Sequence, residues 1–318
     1  MEESKLPLTS DNMANIPKGF KSLPLPIAQL SLAAVLKCGQ SFRWSSIPLA
    51  VSVKQEEAEN AHPSHEYRLA LRDRVVCLRQ DKDTLFYRAA FSNASLSEEQ
   101  SAKRDEGTLE WLKDYFQLDV DLVKLYSDWA ERDVVFKENV KERFAGIRIL
   151  RQDPFENTIS CVYVCIQNIC KLKSSRFICS SNNHINRITK MVQSLCTEYG
   201  PLVCSLPPPE DNEASSMDII DYHGFPTPDK LTDESVSTRL RELGFGYRAE
   251  YVQRTAQILC EEHEDPEAYL LGLRALSVEE ARTELLKLCG VGPKVADCVL
   301  LMSLDKVYIS MSRSSESI

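Results

Sequence analysis

Two periods of hydrophobic positions run along the chain, one after the other. Between Ser41 and about Phe91 the period is two: Tyr67, Leu69 and Leu71 alternate with Arg68, Ala70 and Arg72. Val75-Val76-Cys77-Leu78 and Thr84-Leu85-Phe86-Tyr87 follow after Asp73-Arg74 and Asp81-Lys82-Asp83 turns, so the stretch predicts an antiparallel meander. An acidic, serine-rich loop is expected over residues 92–107. Beyond it Leu109, Leu112 and Phe116 recur at helical spacing and open a predominantly helical remainder. Within that remainder Pro207-Pro208-Pro209, followed by Glu210 to Glu213, predicts an exposed loop, because three prolines remove backbone donors and block helix. The fold class is α+β, an N-terminal antiparallel sheet domain followed by a helical domain. The expected organisation is a flexible tail over 1–20, the sheet domain with flanking helices over 21–135, the helical domain over 136–306 and a divergent tail over 307–318.

Composition narrows the class of protein. A chain of 318 residues is long enough for two domains that each bury a core. With 43% hydrophobic and 27% charged residues and few Pro and Gly, the composition disfavours a disordered, collagenous or membrane-spanning chain. No apolar run approaches the ~20 residues that span a bilayer, so no membrane partner is expected. Eleven cysteines, an odd number, and a start at Met1-Glu2-Glu3-Ser4-Lys5 without a basic and apolar leader predict reduced, intracellular thiols. Lys and Arg total 38 against 47 Asp and Glu, a net charge of -9, which weighs against a polyanion gripped through a broad basic face.

Chemistry concentrates near residue 290. Ser277-Val278-Glu279-Glu280 is a capping box, so a helix begins there with Ala281, Leu285 and Leu288 on one face and stops at Gly290. Leu288 to Lys294 then reads as a tight turn whose glycines permit positive φ, with Pro293 at the first position of a second helix. The result is a helix-hairpin-helix. Gly290 and Gly292 bare backbone N–H groups where the second helix points its positive end, which suits a phosphate; a purely structural turn is the competing reading. Lys294 stands in the first turn of that helix, where positive potential and partial desolvation favour a neutral amine. Such an amine is a nucleophile able to form a Schiff base, and a solvated lysine is the plain alternative.

Five motifs lie in order along the chain: Gly39-Gln40-Ser41-Phe42-Arg43-Trp44, Tyr115-Phe116-Gln117-Leu118-Asp119-Val120, Ile178-Cys179-Ser180-Ser181-Asn182-Asn183, Leu243-Gly244-Phe245-Gly246-Tyr247-Arg248-Ala249, and Gly290 to Cys298. Together, from about Leu23 to Lys306, they resemble the eukaryotic 8-oxoguanine DNA glycosylase/AP lyase family. The resemblance implies base-excision repair in which the oxidised guanine is flipped out of duplex DNA and its glycosidic bond is cut. It implies that Asn182, Arg187, Tyr247 and Arg248 fill the vacated stack and hold the orphaned cytosine, a ring wedging while amide and guanidinium satisfy the base edge. It makes Gly39 the residue whose carbonyl accepts the extra N–H of the oxidised base, and Cys298 the thiol that packs on the base face. Lys294 becomes the nucleophile at sugar C1′, Gly290 and Gly292 the phosphate contacts. Leu286, Leu288 and Val291 become the carbonyls that hold a monovalent cation, with no other cofactor. The implied partner is double-stranded DNA with 8-oxoguanine opposite cytosine, met by a monomer in the nucleus or the mitochondrion.

The chain departs from the family pattern at two places. The family runs directly from Pro-Phe-Glu-Asn-Thr-Ile-Ser into Phe-Ile-Cys-Ser-Ser-Asn-Asn, whereas here residues 161–176 separate Ser160 from Phe177 and interrupt an expected single helix. Cys161, Cys165, Cys170, Cys179 and His184 match no standard zinc or iron-sulfur spacing, so the segment reads as an isoform-specific loop or an unspliced stretch. After Lys306 the family continues into Pro-Val-Asp-Val-His, whose aspartate helps deprotonate the nucleophile, and into further helices. Residues 307–318 carry Glu316 as their only acid. Two further readings therefore stand beside the enzyme: a non-catalytic damaged-DNA binding fragment that keeps the hairpin and the wedge, and a mis-spliced product.

Overall fold

The computed structural model describes residues 16–49, 63–92, 98–165, 181–209 and 219–306. The tail before residue 16, residues 166–180 of the inserted stretch and its neighbour motif, residues 210–218 and the divergent residues 307–318 lie outside the described residues.

Five strands, β1 (Lys21–Pro24), β2 (Ser45–Pro48), β3 (His65–Ala70), β4 (Arg74–Gln80) and β5 (Thr84–Phe91), form an antiparallel sheet in the order β1-β5-β4-β3-β2. The period-two stretch supplies the β3-β4-β5 meander, with Leu78 opposite both Tyr67 and Tyr87. Asp81 closes the β4-β5 turn, its carboxylate accepting from the N–H groups of Asp83 and Thr84 at 2.9 and 2.7 Å. One face of the sheet packs against α1 (Leu32–Val35) and α2 (Glu98–Tyr115), burying Tyr67, Leu69 and Leu85 with Leu112 and Phe116. Because α2 starts at Glu98, most of the loop expected over 92–107 is helix; Glu, Gln, Lys and Arg are good helix formers whatever their charge.

The other face is dry as well. An alternating strand ordinarily leaves its polar side in water, but here a hairpin of β6 (Leu202–Leu206) and β7 (Ile220–His223) lies over it, with Val203 and Tyr222 packed on Phe20, Val75, Cys77 and Phe86. Glu66 and Arg68 are 0% and 1% exposed. Their burial is tolerated because the Glu66 carboxylate pairs with Arg68 at 2.6 Å and Arg79 at 2.8 Å. Phe20, assigned to the tail by sequence, is buried under the guanidiniums of Arg79 and Arg88. The triple-proline run is irregular chain as expected, yet it is not simply exposed: Pro209 is buried and the Pro207 carbonyl accepts from Arg68 at 2.8 Å.

The remaining helices are α3 (Leu122–Arg132), α4 (Val134–Asn139), α5 (Pro154–Cys165), α6 (Ser181–Tyr199), α7 (Glu234–Leu240), α8 (Arg248–Glu262), α9 (Pro266–Gly272), α10 (Val278–Leu286) and α11 (Pro293–Ser303). Ile159, Val192, Val252, Leu285 and Val299 bring α5, α6, α8, α10 and α11 into one core, each such side chain contributing ~1.5–3 kcal/mol by leaving water. Asn157 of α5 donates to the Ser303 hydroxyl of α11 at 2.8 Å inside that core. Cys161 and Val162 belong to it too, so the helix expected to break at residue 161 continues through Cys165. Among the described residues no helix is long and apolar enough to cross a membrane.

Candidate DNA-contacting and catalytic site

The capping box forms as read: Ser277 Oγ accepts from the Glu280 N–H at 3.2 Å, and the Glu280 carboxylate accepts from the Ser277 N–H at 3.0 Å. Ala281, Leu285 and Leu288 are buried as their spacing predicts. Gly290 turns the chain at φ +79, and a Cβ there would come within 2.9 Å of the Tyr251 ring. Gly292 behaves differently. It caps α11 at φ -88 and ψ 177, extended backbone that any residue adopts and that the residue before Pro293 must adopt, so the positive φ expected of both glycines holds for Gly290 only. An Arg282–Asp297 ion pair ties α10 to α11. Thr255 of α8 holds the hairpin from behind, its hydroxyl donating to the Cys289 carbonyl at 2.8 Å.

Lys294 follows Pro293 in the first turn of α11. Its side chain is exposed and ion-pairs with no described carboxylate, so the desolvation expected of it requires a partner that covers the amine. Cys298 lies four residues on, partly buried against the core, which puts the two side chains on one face of the helix.

A second exposed group stands at the start of α8. Residues Arg241–Phe245 form a π-type turn after α7, with Phe245 buried as an anchor and Gly244 and Gly246 at φ +90 and +59 on either side of it. Tyr247 then emerges, 53% exposed. Its ring meets Tyr251 edge-on, centroids 5.9 Å apart, and the Arg248 guanidinium lies 5.1 Å from its centroid. Arg248 is itself buried, and its Nε has no hydrogen-bond partner among the described residues. A buried donor without an acceptor, next to an exposed ring, suits an acceptor brought by a ligand.

Gly39 sits at φ +86, with Ile185 of α6 3.4 Å from where a Cβ would be. The next residue is clamped. The Gln40 side chain donates to the Arg148 carbonyl at 2.9 Å and accepts from the Leu150 N–H at 3.0 Å, while its carbonyl accepts from Gln152 Nε2 at 2.9 Å. Gln152 in turn donates its N–H to the Met302 carbonyl at 2.8 Å. Hydrogen bonds therefore run without a break from the Gly39 loop to the helix that carries Lys294 and Cys298. Arg43 anchors the same loop, buried against Glu156 at 2.7 Å and bonded to the carbonyls of Ala70 and His223. Burial pushes the Glu156 carboxyl up, opposed by the Arg43 charge.

The other expected residues are placed as follows. Asn182 lies in the first turn of α6 with its side chain outside the described residues, and Arg187 is exposed further along that helix. Leu286 ends α10, exposed; Leu288 and Val291 are buried, and the Leu288 carbonyl accepts from the Val291 N–H at 3.2 Å. That bond leaves the oxygen a second lone pair. Among the described residues no group of His, Cys, Asp or Glu is arranged to hold a metal ion. A cleft of 370 Å³ beside Arg43, Trp111 and Asp153 is lined by none of Gly39, Lys294 or Cys298. Sequence reasoning passes over Tyr251, Thr255 and Gln152. Tyr251 was within its reach, being four residues after Tyr247 on one helix face; Thr255 and Gln152 gain their roles only through partners distant in sequence.

An α+β fold that presents a hairpin glycine, an exposed lysine in the helix that follows and an exposed tyrosine at the head of α8 is that of a helix-hairpin-helix protein of the base-excision type. Comparison agrees: residues 175–308 match the HhH-GPD superfamily base excision DNA repair protein, and residues 22–158 match the 8-oxoguanine DNA glycosylase, N-terminal domain. The chain belongs to the 8-oxoguanine DNA glycosylase family. It is 36% identical over 296 residues to the N-glycosylase/DNA lyase of Saccharomyces cerevisiae, covering 90% of this chain and 66% of that protein. It is 32% identical over 292 residues to N-glycosylase/DNA lyase OGG1 of Arabidopsis thaliana, covering 91% and 65%. The chain thus spans just under two thirds of the length of these curated relatives. A solved structure of the Clostridium acetobutylicum 8-oxoguanine glycosylase/lyase, in complex with dsDNA containing cytosine opposite to 8-oxoG, superimposes with a TM-score of 0.57 at 27% identity, over 87% of this chain and 74% of that one. Residues 159–174, between the two family matches, fall largely in the stretch that sequence reading marks as inserted.

Proposed function

We propose that the protein is a base-excision DNA glycosylase and β-lyase that acts on 8-oxoguanine opposite cytosine in duplex DNA, as a monomer and in the nucleus. The observation that carries this is the joint presentation of Lys294 and Tyr247 from one rigid unit, the hairpin being fastened to α8 through Gly290 against Tyr251 and Thr255 to Cys289. The relatives' names and the DNA-bound neighbour point to the same chemistry.

In this reading the backbone N–H groups at Gly290, Gly292 and the start of α11 take a phosphate at the positive end of the helix. Tyr247 fills the stack as the lesion leaves it, and Arg248, Asn182 and Arg187 satisfy the orphaned cytosine. The Gly39 carbonyl accepts the N7–H of the oxidised base; ordinary guanine would set acceptor against acceptor there and leave a buried polar group unpaired. Cys298 packs on the base. Lys294 Nζ bonds to C1′ as the glycosidic C–N bond breaks, and an amine proton leaves with the base. Opening of the sugar gives the Schiff base, and removal of a C2′ proton then expels the 3′ phosphate. The carbonyls of Leu286, Leu288 and Val291 offer the hard oxygen donors that would hold a monovalent cation against the phosphate.

One observation favours the binding-module reading. Lys294 has no described carboxylate partner, and the acids nearest to it on α11 and just beyond are engaged, Asp297 by Arg282 and Asp305 by Arg151. Single-turnover cleavage of a duplex bearing 8-oxoguanine opposite cytosine separates the two. Cleavage at the lesion that Lys294→Ala abolishes establishes the enzyme; preferential binding of the lesion without cleavage establishes the binding module.

A further inference from the structure

Tyr247, read as the residue that enters the base stack, is 53% exposed. Added Cβ atoms at Gly244 and Gly246 would meet nothing within 4 Å, so the loop on its N-terminal side is open at both glycines and rests on Leu243 and the buried Phe245, which pack on the helical core. The Arg248 guanidinium lies over the ring, and Tyr251 is the ring that backs it, edge to face at 5.9 Å. Tyr251 is itself fixed from behind. It is partly buried against the helical core, and its Cβ, Cγ and Cδ2 lie 2.9 Å from where Gly290 would carry a Cβ, which puts the ring directly against the backbone of the hairpin. Its hydroxyl bonds to no described residue, so these contacts are made by ring carbons.

We infer that Tyr251 is a positioning residue that braces the Tyr247 wedge against the hairpin at Gly290, so that the element gripping phosphate also takes the thrust of insertion. This rests on the reading of Tyr247 as the wedge. The hairpin keeps its own conformation without Tyr251, because Thr255 still bonds the Cys289 carbonyl and Gly290 still supplies the positive φ. Phosphate grip and insertion therefore separate on loss of the Tyr251 ring.

The test uses the full chain, with the variants Tyr251→Ala, Tyr251→Phe, Tyr251→Leu and Tyr247→Ala. Affinity for undamaged duplex reports grip, and the fluorescence of 2-aminopurine placed beside 8-oxoguanine reports flipping. Tyr251→Ala is expected to leave undamaged-duplex affinity within about twofold and to lower the flipping amplitude about tenfold, the weight of a lost aromatic pair, with Tyr251→Phe restoring it. Should Tyr251→Ala fail to melt cooperatively, Tyr251→Leu keeps apolar bulk at Gly290 without an aromatic edge, and the same loss of flipping is expected. Native flipping in Tyr251→Ala or Tyr251→Leu overturns the brace, and so does a parallel fall in grip and flipping, which is the mark of a merely structural role. Native flipping in Tyr247→Ala overturns the wedge reading itself, an outcome distinct from the failure of Tyr251 alone.

Discussion

Gly290 and Gly292 are two residues apart and do different work. A side chain at Gly290 meets both a left-handed backbone and the Tyr251 ring, whereas Gly292 is extended and open. Gly290→Ala should therefore cost roughly 2–4 kcal/mol, strain and overpacking together, and Gly292→Ala less than about 1 kcal/mol. Urea melts of the two variants check this, and equal losses would contradict it. Thiols divide in a similar way. Burial pushes Cys77 and Cys196 up to about 11, while Cys38 is exposed beside Gly39. At pH 8 a maleimide or disulfide reagent should label Cys38 in the folded protein and reach Cys77 and Cys196 only on unfolding or as the pH approaches their raised values; mass spectrometry after a short pulse shows which. At this scale Gly290, Gly292 and Lys294 were legible from local rules, whereas Gly39, Asn182, Arg187, Tyr247, Arg248 and Cys298 were legible only through motif resemblance. The pattern around Lys294 pointed to a nucleophile, but its exposure could not be read, because exposure depends on how the helices pack and not on neighbours in sequence.

Single elements explain how distant residues come to share a site. The segment from Arg148 to Gln152 is a tether: it fixes Gln40 at one end and Met302 of α11 at the other, so the proposed base-reading residue Gly39 and the proposed nucleophile Lys294 sit on elements joined by hydrogen bonds. Gln152→Leu removes the side-chain bond to the Gln40 carbonyl. Excision of 8-oxoguanine should fall about tenfold while cleavage at a preformed abasic site, which needs no base pocket, stays within about twofold. Loss of both in parallel would show that Gln152 serves stability alone. Arg43→Met is a harsher change, since it strands the buried Glu156 carboxyl, and should cost roughly 3–5 kcal/mol. The elements themselves were unequally legible. The capping box at Ser277, Pro293 at the head of α11 and the β3-β4-β5 meander follow from local rules and appear where those rules put them. The β6-β7 hairpin does not. Its strands are short and separated by a proline-rich acidic stretch, and they exist to cover the Glu66–Arg68–Arg79 face from more than a hundred residues away.

On the scale of the whole molecule, the net charge of -9 is compatible with a DNA partner only if grip is local. Residues 239–306, which hold Tyr247 and the hairpin, carry 9 basic and 12 acidic side chains. Affinity for undamaged duplex should accordingly be weak and salt-sensitive, with a log–log salt slope matching about 2 to 4 phosphates, and a flat dependence would contradict placed phosphate contacts. The central claim concerns chemistry, and borohydride trapping tests it most directly. Borohydride reduces a Schiff base to a stable amine, so incubation of the full chain with a duplex bearing 8-oxoguanine opposite cytosine should yield a covalent protein–DNA adduct that maps to Lys294 and vanishes in Lys294→Ala. No adduct from a chain that binds the lesion, or an adduct that survives Lys294→Ala, would contradict the account.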